Sequence, residues 1–183
     1  MMNEDLRGKL FQWRKVKTWP LTQVLEDNGK EVMRLESKAL LGMVFWVTYE
    51  NRRFELRRKQ LPPFDILIKE LSTEEDIGVA KYVFAFRRPF LIEFDNRKKM
   101  ELIPMSPTDP HANSVFKDAT WDIGCIIADE AGRLMAGTIF HRGLIHVTKT
   151  FYVFEMNQDD PDAFLLAAIS WLAVYASLQE RGG

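Results

Sequence analysis

One segment near the end of the chain limits the folds that this sequence can adopt. Ala163 to Leu178 is a run of 16 residues without a charged side chain, AFLLAAISWLAVYASL. As a helix this run is about 24 Å long, and a bilayer core is roughly 30 Å thick, so a buried core helix is favoured over a membrane span. Asp160 and Asp162 suit a helix N-terminus. We therefore expect a helix over Pro161–Glu180.

This helix is apolar on every side in the sequence, so it has to be surrounded by other elements. The rest of the chain has the patterns of strands, and the surrounding element is therefore expected to be a closed sheet. The Ser170 hydroxyl can bond back to the carbonyl of Leu166. We expect these side chains to be nearly fully buried: Leu166, Ile169, Trp171, Leu172 and Val174.

The residues before the helix show two-residue alternation and turn signals, and Asp27-Asn28-Gly29 marks a tight hairpin. Phe64–Leu71 fits either a strand or a helix, and Ser106–Asn113 fits a loop. The predicted strands are Lys9–Val16, Leu21–Glu26, Glu31–Ser37, Met43–Glu50, Arg52–Gln60, Lys81–Phe86, Pro89–Asp95, Lys99–Met105, Trp121–Ala128, Arg133–His141 and Leu144–Glu155. The sequence thus predicts a mainly β protein, a closed antiparallel barrel of about twelve strands around a central α-helix.

Length and composition fit one globular domain. The chain has 183 residues, of which 46% are hydrophobic and 28% charged, and its single cysteine, Cys125, excludes an internal disulfide. Val24–Met33 and Ile127–Met135 share a strand, an acidic turn with glycine, a basic residue and a returning strand. We expect a single domain over residues 1–183. One interpretation of the repeat is that this domain consists of two related halves, at about 1–100 and 101–183.

Three segments that lead into the apolar helix carry a resemblance to a known family. They are Asp122–Asp129 (DIGCIIAD), Gly132–Ile139 (GRLMAGTI) and Phe151–Glu155 (FYVFE), followed by Asp160-Pro161. Together with the helix they resemble the tubby C-terminal-like superfamily, which includes tubby domains, phospholipid scramblases and LURP-one-related proteins. The resemblance is best over Trp121–Gly183.

The resemblance implies a twelve-stranded barrel around a central helix. Members of the superfamily bind phosphoinositides (tubby), have a contested lipid-scrambling role (scramblases) or act in defence and regulation (LURP-one relatives). The sequence shows no proline-rich, cysteine-rich segment of the scramblase type, which argues against scrambling. No lipid-binding residue of the tubby domain aligns with a position here.

The sequence contains little that indicates catalysis, and we expect that the protein is not an enzyme and binds no cofactor. It lacks G-x-S-x-G, G-x-x-x-x-G-K-[ST] and G-x-G-x-x-G. Cys125 lies in an apolar strand, where cysteine is usually inert, and His111, His141 and His146 need not converge on it. A weak calcium candidate is formed by Asp159, Asp160 and Asp162, although helix capping also explains Asp160 and Asp162.

Basic residues form clusters at Lys15/Lys17, Arg52-Arg53, Arg57-Arg58-Lys59, Arg87-Arg88 and Arg97-Lys98-Lys99. One interpretation is protection of strand edges and solvated faces. The other is a patch for anionic lipid headgroups. Trp13 and Trp19 are expected to pack in or on the barrel, with interfacial anchoring as the alternative. The candidate lipid-binding residues are Arg52, Arg53, Arg57, Arg58 and Lys59.

The function that these features favour is a non-catalytic binding module that recognises anionic membrane lipids or phosphoinositide headgroups. The alternatives are a protein-interaction scaffold and, less favoured, an enzyme with a site at the barrel rim. A net charge of -1 argues against nucleic acid as a partner. Met1–Arg14 has no apolar stretch of a signal peptide, so we expect a cytoplasmic protein, peripheral at a membrane where lipid binding applies.

Overall fold

A computed structural model describes residues 8–38, 44–59, 65–82, 90–96, 98–110, 112–116, 123–142, 147–154, 160 and 162–181. Within these ranges the chain forms twelve strands and two helices. The strands are β1 (Gly8–Lys17), β2 (Thr22–Asp27), β3 (Lys30–Ser37), β4 (Val44–Tyr49), β5 (Arg52–Arg58), β6 (Ile66–Glu70), β7 (Glu75–Tyr82), β8 (Phe90–Phe94), β9 (Lys99–Met105), β10 (Ile123–Asp129), β11 (Leu134–Arg142) and β12 (Val147–Phe154), and the helices are α1 (Ala112–Val115) and α2 (Ala163–Arg181).

The twelve strands form a closed antiparallel barrel. Each strand pairs with its neighbours in sequence, and β1 pairs with β12, with Gly8 opposite Phe154 and Trp13 opposite Lys149. The pairing of the first strand with the last leaves this sheet without an open edge, so its basic residues are not needed as edge protection. The prediction of a mainly β chain with a closed barrel and a C-terminal helix is confirmed.

Three boundaries differ from the sequence prediction. β7 begins at Glu75, six residues before the predicted start at Lys81, because Glu75 and Asp76 are exposed strand residues that resemble a turn in sequence. The predicted loop Ser106–Asn113 runs into the short helix α1. The ambiguous segment Phe64–Leu71 contains the strand β6. The predicted strand residues 43, 60, 83–86, 89, 121–122, 144–146 and 155 lie outside the described residues.

The main core consists of buried side chains from the strands and from α2. On β4, for example, Phe45, Val47 and Tyr49 are buried and alternate with half-buried residues. The Trp171 ring lies 6.1 Å from that of Trp13 and 6.3 Å from that of Phe45. The side chain of Val174 lies outside the described set, and the other predicted helix core residues are buried: Leu166, Ile169, Trp171 and Leu172.

Ser170 is satisfied by different partners from the one predicted. Its hydroxyl donates to the carbonyl of Ala167, not Leu166, at 2.9 Å, and lies 2.6 Å from the hydroxyl of Thr138 on β11. The pair links α2 to the barrel wall through groups that would each be costly to bury alone. In the described part of the chain, no helix combines the length and hydrophobicity that a membrane span requires.

Candidate functional site

The antiparallel topology places alternate turns at opposite ends of the barrel. The turns that follow β2, β4, β6, β8 and β10 share one end, and the turn that follows β1 lies at the other. The helix α2 starts at the first of these ends, because Phe164 packs on Phe11 at 5.6 Å and on Tyr49 at 5.5 Å, near where β1 begins and β4 ends. The two ends can therefore be compared directly.

Charges are sorted between these two ends. The first end, which we call the acidic end, carries Glu26, Asp27, Glu50, Glu70, Glu74, Glu75, Asp76, Asp95, Asp129, Glu130, Asp160 and Asp162. Several cations at this end pair with these carboxylates, namely Lys9, Arg52, Lys69, Lys98 and Arg133, and Lys30 and Lys99 are exposed at the same end. The opposite end, which we call the basic end, carries Lys15, Lys17, Lys38, Arg57, Arg58, Lys59 and Lys81, with Glu36, Asp65 and Asp109 among them. Carboxylates near the start of α2 stabilise the helix, because they interact favourably with the positive end of its dipole.

The predicted lipid-binding residues on β5 do not form one patch. Phe54 and Leu56 face the core, and Arg53, Arg57 and Lys59 are exposed, because successive side chains of a strand point to opposite sides. Arg52, however, begins β5 at the acidic end, about 23 Å along the strand from Lys59 at 3.3 Å per residue. The group that lies at the basic end is Arg57, Arg58 and Lys59.

Carboxylates accompany most of the β5 cations. Arg52 Nε lies 3.1 Å from Glu70 Oε1, and Arg57 Nη2 lies 2.7 Å from Glu55 Oε1. Lys59 Nζ lies 3.2 Å from Asp65 Oδ2. The guanidinium of Arg53 lies over the ring of Trp46, 5.2 Å from its centroid. These partners reduce the positive potential that β5 alone can offer to an anion.

A groove of about 340 Å³ crosses the outer face of β5, β6 and β7. It is lined by Glu55, Arg57, Leu67, Lys69, Leu71 and Asp76. Two cations and two carboxylates balance each other along this lining, and Leu67 forms part of an apolar floor. The groove therefore has no net charge with which to select an anionic headgroup.

The β1–β2 hairpin tip, residues 15–20, is the part of the basic end that stands out. Trp19 is 64% exposed, whereas Trp13 on the same hairpin is 5% exposed in the core. The expectation that Trp13 packs in the barrel is thus confirmed, and Trp19 is largely exposed at the hairpin tip. The register of β1 on β2 slips by one residue between Lys15 and Lys17, and the intervening Val16 is also exposed.

The described carboxylates of the weak calcium candidate, Asp160 and Asp162, have other partners. Asp160 Oδ1 accepts the backbone N–H of Asp162 at 2.9 Å, which caps α2. Lys98 Nζ lies 2.5 Å from Asp160 and 3.6 Å from Asp162. Asp159 lies outside the described residues, and within those residues no group of three or more His, Cys, Asp and Glu side chains is arranged to hold a metal ion. Capping and ion pairing account for both described carboxylates.

The thiol of Cys125 is not poised for nucleophilic chemistry. Burial raises its pKa to about 12, against the opposing effect of hydrogen bonds from Thr138. A thiol with this pKa stays protonated at neutral pH, whereas the reactive form is the thiolate. His141 is half-buried on β11, and His111 and His146 lie outside the described residues.

The hairpin tip is not among the candidate lipid-binding residues that the sequence predicts. The available signal was a tryptophan next to a proline in a turn, preceded by two lysines that no acidic residue separates. Comparison of the chain with protein-family models, curated proteins and solved structures found no match.

Proposed function

We propose that this protein is a non-catalytic module that binds an anionic membrane surface with its basic end. The observation that carries the proposal is the separation of charge between the two ends of the barrel, in a chain whose net charge is only -1. An anionic surface repels the acidic end and attracts the basic end, so the barrel binds in one orientation. The location that follows is peripheral, on the cytoplasmic side of a membrane.

The energy of such binding is distributed over several residues. Each lysine or arginine close to an anionic membrane contributes about 1 kcal/mol, and the attraction falls off over about 10 Å at moderate salt. Arg57, Arg58 and Lys59 belong to this surface in our proposal, together with Lys15 and Lys17. Arg52 contributes little, because it lies at the opposite end beside Glu70.

We further propose that α2 occupies the barrel axis, as the tubby-like resemblance implies. Phe164 packs near the end of β4 at Tyr49, and Trp171 packs near its start at Phe45. These two contacts support a helix that runs along the strands from the acidic end towards the basic end. A protein-interaction scaffold is the alternative function, and it predicts no dependence on lipid charge.

Liposome co-sedimentation with a matched pair of variants tests the proposal. Lys15→Gln/Lys17→Gln removes two charges from the basic end, and Lys30→Gln/Lys99→Gln removes two exposed lysines from the acidic end. We expect the first variant to bind vesicles with 30% phosphatidylserine about 30-fold more weakly, from about 1 kcal/mol per lysine, and the second to bind as the wild type. Arg57→Gln is expected to cost about fivefold on the same basis.

Salt and lipid composition supply the controls. Binding should rise with the fraction of phosphatidylserine and fall as salt is raised from 50 to 300 mM, because screening weakens attraction between exposed charges. Absence of wild-type binding to these vesicles at low salt would exclude the membrane function and favour the scaffold. Equal losses in the two double variants would show that orientation by the basic end is wrong.

A further inference from the structure

We infer that the β1–β2 hairpin tip is a membrane anchor in which Trp19 inserts among the lipid headgroups while Lys15 and Lys17 contact anionic ones. This inference rests on the proposed membrane function and names the part of the basic end that enters the bilayer. It is carried by the exposure of Trp19, the fixed backbone beside it and the absence of described acidic partners for the two lysines.

The tip concentrates the exposed apolar surface of the described residues. Four large hydrophobic side chains are exposed among the described residues: Leu10 at 44%, Val16 at 38%, Trp19 at 64% and Leu67 at 39%. Two of the four, including the most exposed, lie in the tip, whereas Leu10 and Leu67 lie on two different strands, β1 and β6. Tryptophan has a ring that is apolar in the main and one polar N–H, and it is enriched at the headgroup level of membranes.

The backbone that follows Trp19 is held in place by the barrel. Thr22 is 2% exposed, and its hydroxyl donates to the carbonyl of Pro20 at 3.2 Å. The carbonyl of Leu21 accepts the backbone N–H of Ser37 at 2.9 Å. Trp19 is therefore presented from an ordered turn, which reduces the entropy lost when the side chain is immobilised in a bound state.

The lysines of the tip differ from the other cations of β1. Lys9 and Arg14 pair with Asp27 and Glu26, each at 2.7 Å. Among the residues that the structure describes, neither Lys15 nor Lys17 forms an ion pair. Docking of the tip on anionic lipid thus breaks no described salt bridge.

A lipid surface fits this tip better than a protein partner does. Stable protein interfaces bury about 800 Å² on each partner, far more than one tryptophan and one valine provide. A membrane surface needs no complementary shape. Its apolar region lies directly below its anionic headgroups, so a tryptophan ring can enter the first while neighbouring lysines contact the second.

Fluorescence quenching by brominated lipid tests the insertion directly. Wild-type protein is mixed with vesicles of phosphatidylcholine and phosphatidylserine, with or without bromine on the acyl chains near the headgroup. The chain has five tryptophans, so Trp19→Phe identifies the signal. We expect quenching in the wild type and its loss in Trp19→Phe.

Binding of a second set of variants separates insertion from folding. We expect Trp19→Ser to bind the same vesicles about tenfold more weakly, from the apolar area no longer buried, and Trp19→Tyr to retain most of the binding. Leu10→Ser, which removes an exposed apolar side chain at the other end of β1, should bind as the wild type. Thermal unfolding of each variant checks that the barrel is intact.

The outcomes distinguish this inference from the proposed function. Charge-dependent binding that Trp19→Ser leaves unchanged, with quenching retained in Trp19→Phe, would overturn the anchor and leave the basic end as the binding surface. Failure of the wild type to bind anionic vesicles at low salt would overturn both. Loss of quenching in Trp19→Phe, together with weaker binding of Trp19→Ser and unchanged binding of Leu10→Ser, supports the anchor.

Discussion

Two parts of the barrel wall are buried in different ways. The single-faced wall, β3–β5, buries its inner side, and its outer side is exposed or half-buried: on β5, Phe54 and Leu56 are buried while Arg53 and Arg57 are exposed. The double-faced wall, β10 and β11, is buried on both sides, and every residue from Gly124 to Ala128 is buried. The same sheet therefore contains strands under two different sequence requirements.

The outer side of the double-faced wall is covered by the connection between β9 and β10. A second hydrophobic cluster forms there, apart from the main core, and consists of Met105, Ala112, Phe116, Ile126 and Ile139. Ala112 belongs to α1, and Phe116 directly follows it. The difference between the walls shows that an apolar strand run needs a cover outside the barrel, which this chain supplies from a long connection.

The largest expected effect comes from emptying the core behind the single-faced wall. Phe54 is fully buried and stacks on Tyr49, with 5.4 Å between ring centroids. We expect Phe54→Ala to lower the free energy of unfolding by about 3–5 kcal/mol, and Phe116→Ala by about 2 kcal/mol, because a site near the surface can collapse. Urea denaturation of the two variants measures both losses.

Hydrogen exchange sharpens this first comparison. We expect Phe54→Ala to reduce amide protection in every strand, and Phe116→Ala to reduce it mainly in 105–116 and the neighbouring amides of β10. A uniform loss of protection in Phe116→Ala, equal to that in Phe54→Ala, would mean that the outer cluster is not a separate layer.

A smaller effect is expected at the glycine that lets the cover approach. A Cβ atom at position 137 would lie 2.8 Å from Cζ of Phe116 and 3.1 Å from the carbonyl oxygen of Cys125. We expect Gly137→Ala to destabilise the protein by about 1–3 kcal/mol, because the ring has to move outward. Denaturation of the single and double variants with Phe116→Ala gives the coupling between the two positions.

The double variant decides the cause of that loss. If the ring of Phe116 is the obstacle, Gly137→Ala should cost about half as much, or less, in the Phe116→Ala background. An unchanged cost would assign the strain to the carbonyl of Cys125 and remove the close approach of the cover as the reason for glycine.

Alternation was sufficient to predict the single-faced wall from the sequence. Predicted strands over Met43–Glu50 and Arg52–Gln60 correspond to β4 and β5. β10 was also predicted, as a buried apolar strand around Cys125, but its outer cover was not. Phe116 follows a segment rich in proline and polar residues that resembles a surface loop, so only its tertiary contacts reveal that it is core.

The candidate site was less accessible to sequence reasoning. The β5 cations were identified, but their pairing with Glu70, Glu55 and Asp65 depends on which strands are neighbours and on the register. The charge difference between the ends is likewise a property of the topology, because residues far apart in sequence meet at one end. The exposure of Trp19 depends on how the β1–β2 turn leaves the barrel, which composition does not indicate.

The smallest effect is expected at the turns that lead into the two walls. Asp129, at the end of β10, accepts the backbone N–H groups of Ala131 and Arg133 at 3.0 and 2.9 Å and bonds the Arg133 side chain, and these bonds outweigh burial and lower the pKa of Asp129. A lowered pKa stabilises the fold above the unfolded value near 4, and this contribution disappears as pH falls through the folded pKa. We expect Asp129→Asn to cost roughly 1 kcal/mol at pH 7 and progressively less below pH 4, as urea denaturation at each pH would show.

The matched variant is Asp27→Asn in the turn before β3. The described partners of the Asp27 carboxylate are the side chains of Lys9 and Asn28, and we expect this variant to cost about 0.5 kcal/mol at pH 7. A larger loss in Asp27→Asn than in Asp129→Asn would contradict the view that backbone hydrogen bonds, rather than surface ion pairs, make the turn of the double-faced wall the stronger of the two.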